Sequence, residues 1–326
     1  MIRSTTAPRP NPDDLVAQAT TAADGGRLPE ALAHLLAAAQ QYRTTGSTAD
    51  ERHCLQFSAT ISRLLGDPAA ARTHATRAAA LATPGSPAAV SASAELAECA
   101  LALHDPAVAA DCFRQALEHA ATVPLAPPEE TGLRRKYAAA LSATGRPAAA
   151  VAELRKAHTR LAASGDRANA LRALVEATTA AQDGGLAGEA GWLRTEAFLE
   201  ARYTCDEAAL ADLELLESAA ALGRKDQESA LEAARRAREH ALGANTPVSY
   251  VAATAAIAEL CEYTGDRLGA YAALAAGYVT LGDLLGLEAG QAAFAPRLTA
   301  LRERWGTTAF AEVKAAYEAR RRTARA

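Results

Sequence analysis

Residues 61–75, ISRLLGDPAAARTHA, decide the fold. Gly66 carries no side chain and tolerates the left-handed backbone that ends a helix. Asp67 offers a carboxylate to the next helix's free amides, and Pro68 suits a first helical position. One helix stops there and a second starts. The same punctuation recurs as GGRLPEA (25–31), HDPAVAA (104–110), GRPAAA (145–150), GGLAGEA (184–190), TGDRLGA (264–270) and WGTTAFA (305–311). Aligned on the small residue inside the second stretch, these give Ala31, Ala71, Ala109, Ala150, Ala190, Ala230, Ala270 and Ala311, spaced 38 to 41 residues apart. Glycine stands five residues earlier at Gly26, Gly66, Gly145, Gly185, Gly265 and Gly306; His104 and Lys225 replace it in the third and sixth units.

A forty-residue unit without strand alternation holds two helices of about four turns each. The expected pairs are 13–24 with 28–44, 49–65 with 68–82, 87–103 with 106–121, 128–144 with 147–163, 167–183 with 186–202, 206–222 with 226–242, 247–264 with 267–284, and 288–304 with 307–322. Asp67-Pro68, Asp105-Pro106, Ser86-Pro87 and Thr246-Pro247 read as cap-and-proline starts, and Pro127-Pro128-Glu129-Glu130 sets carboxylates at a helix's positive end. Gly223 comes two residues early, which predicts a longer turn in the sixth unit. Residues 1–11 and 323–326 are expected to be disordered, flanking a helical repeat domain over 12–322. Arg320-Arg321-Arg322 suits the negative end of the last helix.

Composition points the same way. The 326 residues are 50% hydrophobic but only 5% aromatic, with one methionine. Alanine therefore carries much of the apolar count, which favours close helix contacts over one thick core. The formal net charge of -4 argues against a nucleic-acid partner. The first residues lack the apolar run of a secretory signal, and the apolar stretch between Arg267 and Asp283 reads as a buried helix rather than a membrane span. Five cysteines, an odd number, are expected to be reduced thiols in the cytoplasm.

The turn glycine, the small residue five later, and apolar or small residues four and seven beyond it resemble the tetratricopeptide repeat. The triplets are Ala31-Leu35-Ala38, Ala71-Ala75-Ala78, Ala109-Phe113-Ala116, Ala150-Leu154-Ala157 and Ala270-Leu274-Gly277. The forty-residue period, with ASGDRANAL and YTGDRLGAY, is similar to the lengthened repeats in helical sensor domains of bacterial transcription activators. That resemblance implies an all-α, right-handed superhelical solenoid of about eight antiparallel helix pairs. A HEAT- or armadillo-like solenoid has an overlapping period. Arg194 and Glu318 depart from the pattern by occupying positions expected to be apolar.

No phosphate loop, dinucleotide fingerprint, nucleophile elbow or HExxH motif occurs, so no catalysis, cofactor or metal is expected. His34, His74 and Cys112 hold equivalent positions in successive second helices, which repetition explains better than a metal site. Cys99 and Cys112 fall on paired helices and read as packed thiols rather than a redox pair, and Cys261 as core. Trp192, Trp305, Phe198, Phe310, Tyr271 and Tyr278 read as packing anchors.

The expected function is a non-catalytic scaffold or adaptor that binds a protein or peptide partner. The alternative is a regulatory sensor that binds a peptide or small ligand and signals to an output protein on another chain. The resemblance implies that first helices line the concave face, where residues 18, 15, 11 and 8 before each turn alanine would lie. This selects His53, Gln56, Thr60 and Arg63, then Ser91 and Glu98, then Arg135, then Arg172, Thr179 and Gln182, and finally Glu259 and Glu262 with Tyr263 beside them. The groove is expected to be mildly basic in its middle and acidic toward the C-terminus. Arg63, Arg135 and Arg172 would contact an acidic segment.

Overall fold

The computed structural model describes residues 11–323. Residues 1–10 and 324–326 lie outside them, and with these nearly all of the two expected loose ends. Among the described residues there are sixteen α-helices and no strand: α1 (Pro12–Asp24), α2 (Leu28–Thr45), α3 (Thr48–Leu64), α4 (Pro68–Ala80), α5 (Pro87–Ala102), α6 (Pro106–Ala120), α7 (Pro127–Ala143), α8 (Pro147–Ala163), α9 (Arg167–Asp183), α10 (Ala187–Thr204), α11 (Glu207–Gly223), α12 (Gln227–Gly243), α13 (Pro247–Tyr263), α14 (Arg267–Leu285), α15 (Leu287–Trp305) and α16 (Thr307–Thr323). Every boundary falls within two residues of its expected place.

The chain forms two compact units, Met1–Ala173 and Leu174–Ala326, divided within α9. In the first, each helix from α1 to α8 packs on the next, and α3 also touches α5. In the second, α10 to α16 repeat the arrangement, with α11 touching α13 and α14 touching α16. Neighbour-on-neighbour packing of helix pairs is a tetratricopeptide-like solenoid.

The turn alanines explain the stacking. Ala31, Ala71, Ala109, Ala150, Ala230 and Ala270 have no exposed surface, and Leu35, Ala38, Ala75, Ala78, Phe113, Ala116, Leu154, Ala157 and Leu274 are buried with them. A methyl group at each crossing keeps neighbouring helices close and adds no rotamer cost. Ala311 is the exception and is exposed, on a terminal helix with no buried residue. Glu318, in the seventh position after it, faces solvent near Lys314 at 3.9 Å. Arg194, the other polar intruder, is mostly buried but ion-paired to Glu217 at 2.7 Å.

The turns keep a twenty-residue beat, half the sequence repeat. Positive φ falls at Gly26, Gly46, Gly66, Gly85, Gly145, Gly165, Gly185, Gly265, Gly286 and Gly306, and also at the non-glycines His104, Cys205, Lys225 and Asn245. The three-residue turns within pairs and between pairs thus share one device, while Gly286 and Gly306, at ψ 153° and 159°, each form a one-residue turn. Lys225 takes φ 65° in the same three-residue turn seen elsewhere, so the sixth turn is not lengthened. Gly223 is simply the last residue of α11. Left-handed backbone costs a side-chain-bearing residue about 1 kcal/mol. Lys225→Gly is therefore expected to raise stability by about that amount in urea titrations. An unchanged midpoint would show that the turn carries no strain.

Asp67, Asp105 and Ser86 cap as expected, accepting from Ala70, Val108 and Ala89 amides at 2.9, 3.1 and 3.2 Å. Thr246 does not. Its hydroxyl donates back to the Ala241 carbonyl at 3.3 Å, leaving α13 without a side-chain cap. By length and composition α14 could cross a membrane, but it packs between α13, α15 and α16 in the core of the second unit.

Candidate functional site

The first helices of successive pairs carry a ladder of polar bonds. In the first unit, Arg63 of α3 reaches Glu95 of α5 at 3.3 Å, and Glu98 of α5 pairs with Lys136 of α7. In the second, Gln182 of α9 donates to the Leu216 carbonyl of α11 at 3.1 Å and accepts from Arg194 of α10 at 3.2 Å. Ser249 of α13 then donates to Asp212 of α11 at 2.8 Å. Glu262 of α13 accepts two bonds from Arg304 of α15, at 3.0 and 2.7 Å, and one from the Trp305 indole at 2.8 Å. Partly exposed ion pairs are each worth roughly 0–1 kcal/mol, so the ladder sets register between pairs more than it adds stability.

Each expected partner-binding residue now has a place. Arg63, Glu98, Gln182 and Glu262 are rungs of the ladder. Gln56 is half-buried and accepts from Arg52 at 3.3 Å. Arg135 is half-buried on α7 and engaged. His53, Arg172, Glu259 and Tyr263 are exposed. His53 lies edge-on to Phe57, ring centres 4.7 Å apart, and Phe57 is itself 50% exposed. Sequence reasoning missed Glu95, Lys136, Arg304 and Phe57. The signal was present: the charged partners lie 32, 38 and 42 residues apart, about one repeat. Partners on the ladder neutralise Arg63 and Glu262, so the expected division into basic and acidic stretches is weaker than side-chain identity suggests.

The Arg304 guanidinium holds the Glu262 carboxyl below its ordinary value, with the Trp305 bond adding to this and partial burial opposing it. A depressed carboxyl stabilises the fold above its unfolded value near 4.5 and loses that contribution as pH falls. Glu262→Gln should therefore lower stability at pH 7 and make unfolding between about pH 5 and 3 less acid-dependent. Parallel acid titrations of the two proteins would contradict the pairing.

Other chemistry-bearing residues pack into the helices. Cys54, Cys99 and Cys261 are buried, and burial pushes the Cys54 and Cys99 thiols up to about 11, away from the reactive thiolate. Burial raises Cys112 as well, while Cys205 is exposed in its turn. Trp305, Phe310, Tyr271 and Tyr278 pack as expected, with Tyr271 edge-on to Phe310 at 5.4 Å. Phe198 is partly buried beneath Arg202. Trp192, expected as an anchor, is 51% exposed on α10 because Leu193 takes the inward position. Among the described residues no group of three or more His, Cys, Asp or Glu side chains could hold a metal ion.

No protein-family model matches this chain, and no curated protein does. Solved structures match its fold. A putative kinesin light chain from Podosopora anserina with nearly identical TPR-like repeats aligns at TM-score 0.51 and 20% identity, over 60% of this chain and 98% of that one. A signal-transduction ATPase with numerous domains from Pyrococcus horikoshii, carrying a tetratricopeptide repeat sensor, aligns at 0.59 and 15% identity, over 86% of this chain and 44% of that one. The apo form of RapI aligns at 0.53 and 11% identity, over 80% and 94%. At these identities the likeness establishes a tetratricopeptide-like helical-repeat fold.

Proposed function

We propose that this tetratricopeptide-like chain is a non-catalytic scaffold that binds a protein or peptide segment on the first helices of its repeat units. The observation that carries this reading is the division of labour on that face. Ladder residues hold register within each unit, while His53, Phe57 and Arg172 in the first unit, and Glu259 and Tyr263 in the second, are exposed to solvent. Exposed aromatic and charged side chains on rigid, mutually braced helices suit recognition of an extended or helical segment. Arg172 makes no ladder bond and is exposed, so it is a cation that can meet an acidic residue of a partner. Arg63 is held by Glu95, and reversing it would break a rung.

Selection from a displayed library of random dodecapeptides tests this. Acidic sequences should be enriched on the native chain, and Arg172→Glu should weaken the selected peptides at least tenfold with unchanged circular dichroism. Failure to enrich any peptide, or equal binding to both proteins, would count against the first-helix face. The sensor reading draws on the likeness to a chain with a repeat sensor. A small ligand retained in native mass spectrometry would favour it over the scaffold.

A further inference from the structure

Large apolar side chains stand in solvent at one end of the second unit. Leu242 lies at the end of α12, Val248 at the start of α13, Leu284 and Leu285 at the end of α14, and Leu287 at the start of α15. Val248 and Leu287 are 84% and 74% exposed, and the other three about half. They are neighbours in space. Leu242, Pro247, Leu281, Leu284 and Leu285 surround one shallow depression of only about 10 Å³. A β-carbon added to Gly282 would meet Leu287 Cδ2 at 3.8 Å. The patch is therefore a surface rather than a chamber. At two other turns between pairs, the residue after the positive-φ position caps the next helix. Asp166 accepts from the Asn169 amide at 3.2 Å, and Asp206 from the Ala209 amide at 2.9 Å. After Gly286 stands Leu287 instead, and α15 has no side-chain cap. An exposed leucine thus occupies a place where a polar cap would serve the helix.

Size and charge decide what covers the patch. Its side chains expose the equivalent of about three whole ones, a few hundred Å², the scale at which apolar patches mark interaction sites. A stable dimer buries about 800 Å² on each partner, so a second copy seated here alone falls short. The rim is acidic. Asp283 and Glu288 flank the leucines in the chain, Glu239 lies one turn before Leu242, and all three are exposed. Among the described residues none of the three forms an ion pair. Arg238, half-buried beside Glu239, opposes them only in part. Two copies meeting here would bring like charges together, and an anionic membrane would be repelled. Apolar surface edged by carboxylates is complementary to apolar side chains flanked by lysine or arginine. A basic amphipathic helix presents that pattern along one face.

We propose that this patch, at the helix ends of α12 to α15, docks a basic amphipathic helix of a partner protein. The apolar face of that helix lies on Leu242, Val248, Leu284, Leu285 and Leu287, and its cations meet Asp283, Glu288 and Glu239. The test is fluorescence anisotropy on the full chain with labelled octadecapeptides of leucine and lysine in helical register. Saturable binding is expected. It should weaken at least tenfold when glutamate replaces the lysines, when serine replaces the leucines, and in Val248→Ser/Leu287→Ser with unchanged circular dichroism. Asp283→Lys/Glu288→Lys should shift the preference toward the glutamate peptide. Arg172→Glu should leave binding unchanged, which separates this patch from the acidic-segment reading of the first helices. Equal binding of the three peptides, no saturation, or indifference to the changes at Val248 and Leu287 would overturn the proposal. Sedimentation of the native chain as a dimer that Val248→Ser/Leu287→Ser dissociates would also overturn it, assigning the patch to a second copy. Flotation with phosphatidylcholine vesicles, lost in the same variant, would overturn it in favour of lipid. The peptide comparison uses the native chain and holds even if a substitution disturbs folding.

Discussion

Phe294→Ala should cost about 3–5 kcal/mol, the largest loss expected from a single truncation in the second unit. Phe294 has no exposed surface and belongs to the cluster formed by Ile257, Ala270, Leu274 and Leu301. Its ring lies so close to Gly277 that a β-carbon there would come within 2.9 Å of it. The glycine in the seventh position of that repeat is thus the socket for an aromatic from the following helix. Removing the ring leaves a void between α13, α14 and α15, because α13 and α14 are already held by small-residue crossings and have little freedom to collapse. Coupling in a repeat array runs mainly between neighbours, so the loss should appear first as faster hydrogen exchange in α13 to α16. Urea unfolding followed by circular dichroism gives its size. A loss below about 1 kcal/mol would mean that the ring does not fill the core as described.

Gly290→Ala should be nearly as damaging for the opposite reason. A β-carbon at Gly290 would sit 2.5 Å from the Tyr278 carbonyl oxygen and 3.1 Å from the Gly282 amide nitrogen. Both are backbone atoms of α14, so no rotamer change relieves the clash and α14 must part from α15. Overpacking costs about 1–3 kcal/mol in general, and a backbone-limited contact belongs at the top of that range. Gly191, inside α10, is the control, since nothing lies within 4 Å of a β-carbon added there. Gly191→Ala should gain about 1 kcal/mol from helix propensity alone. If both alanines stabilised the chain, the close approach of α14 and α15 would be refuted.

These two glycines show what a sequence discloses about such a fold. The phase of the turn alanines was legible because stacked helix pairs demand a small residue at each crossing and a left-handed residue at each turn. His104 and Lys225 were recognised by phase alone, and both adopt the left-handed backbone of the glycines they replace. The contact of Gly290 was not legible, since glycine inside a helix looks the same whether a neighbour touches it or not. The ladder was half legible. Counting from the turn alanine placed Arg63, Glu98, Gln182 and Glu262 on the first helices, but identity does not reveal that a charge is already bonded to the next repeat.

Recognition by the first-helix face is tested most directly by site-specific photo-cross-linking in the native cell. A photoreactive phenylalanine analogue would be placed at His53, Arg172 or Tyr263, all exposed on first helices, and for comparison at Thr73 or Arg114, exposed on second helices. Partner adducts are expected from the first set and not from the second. Adducts formed only at Thr73 or Arg114, or at none of the five positions, would contradict a binding surface on the first helices.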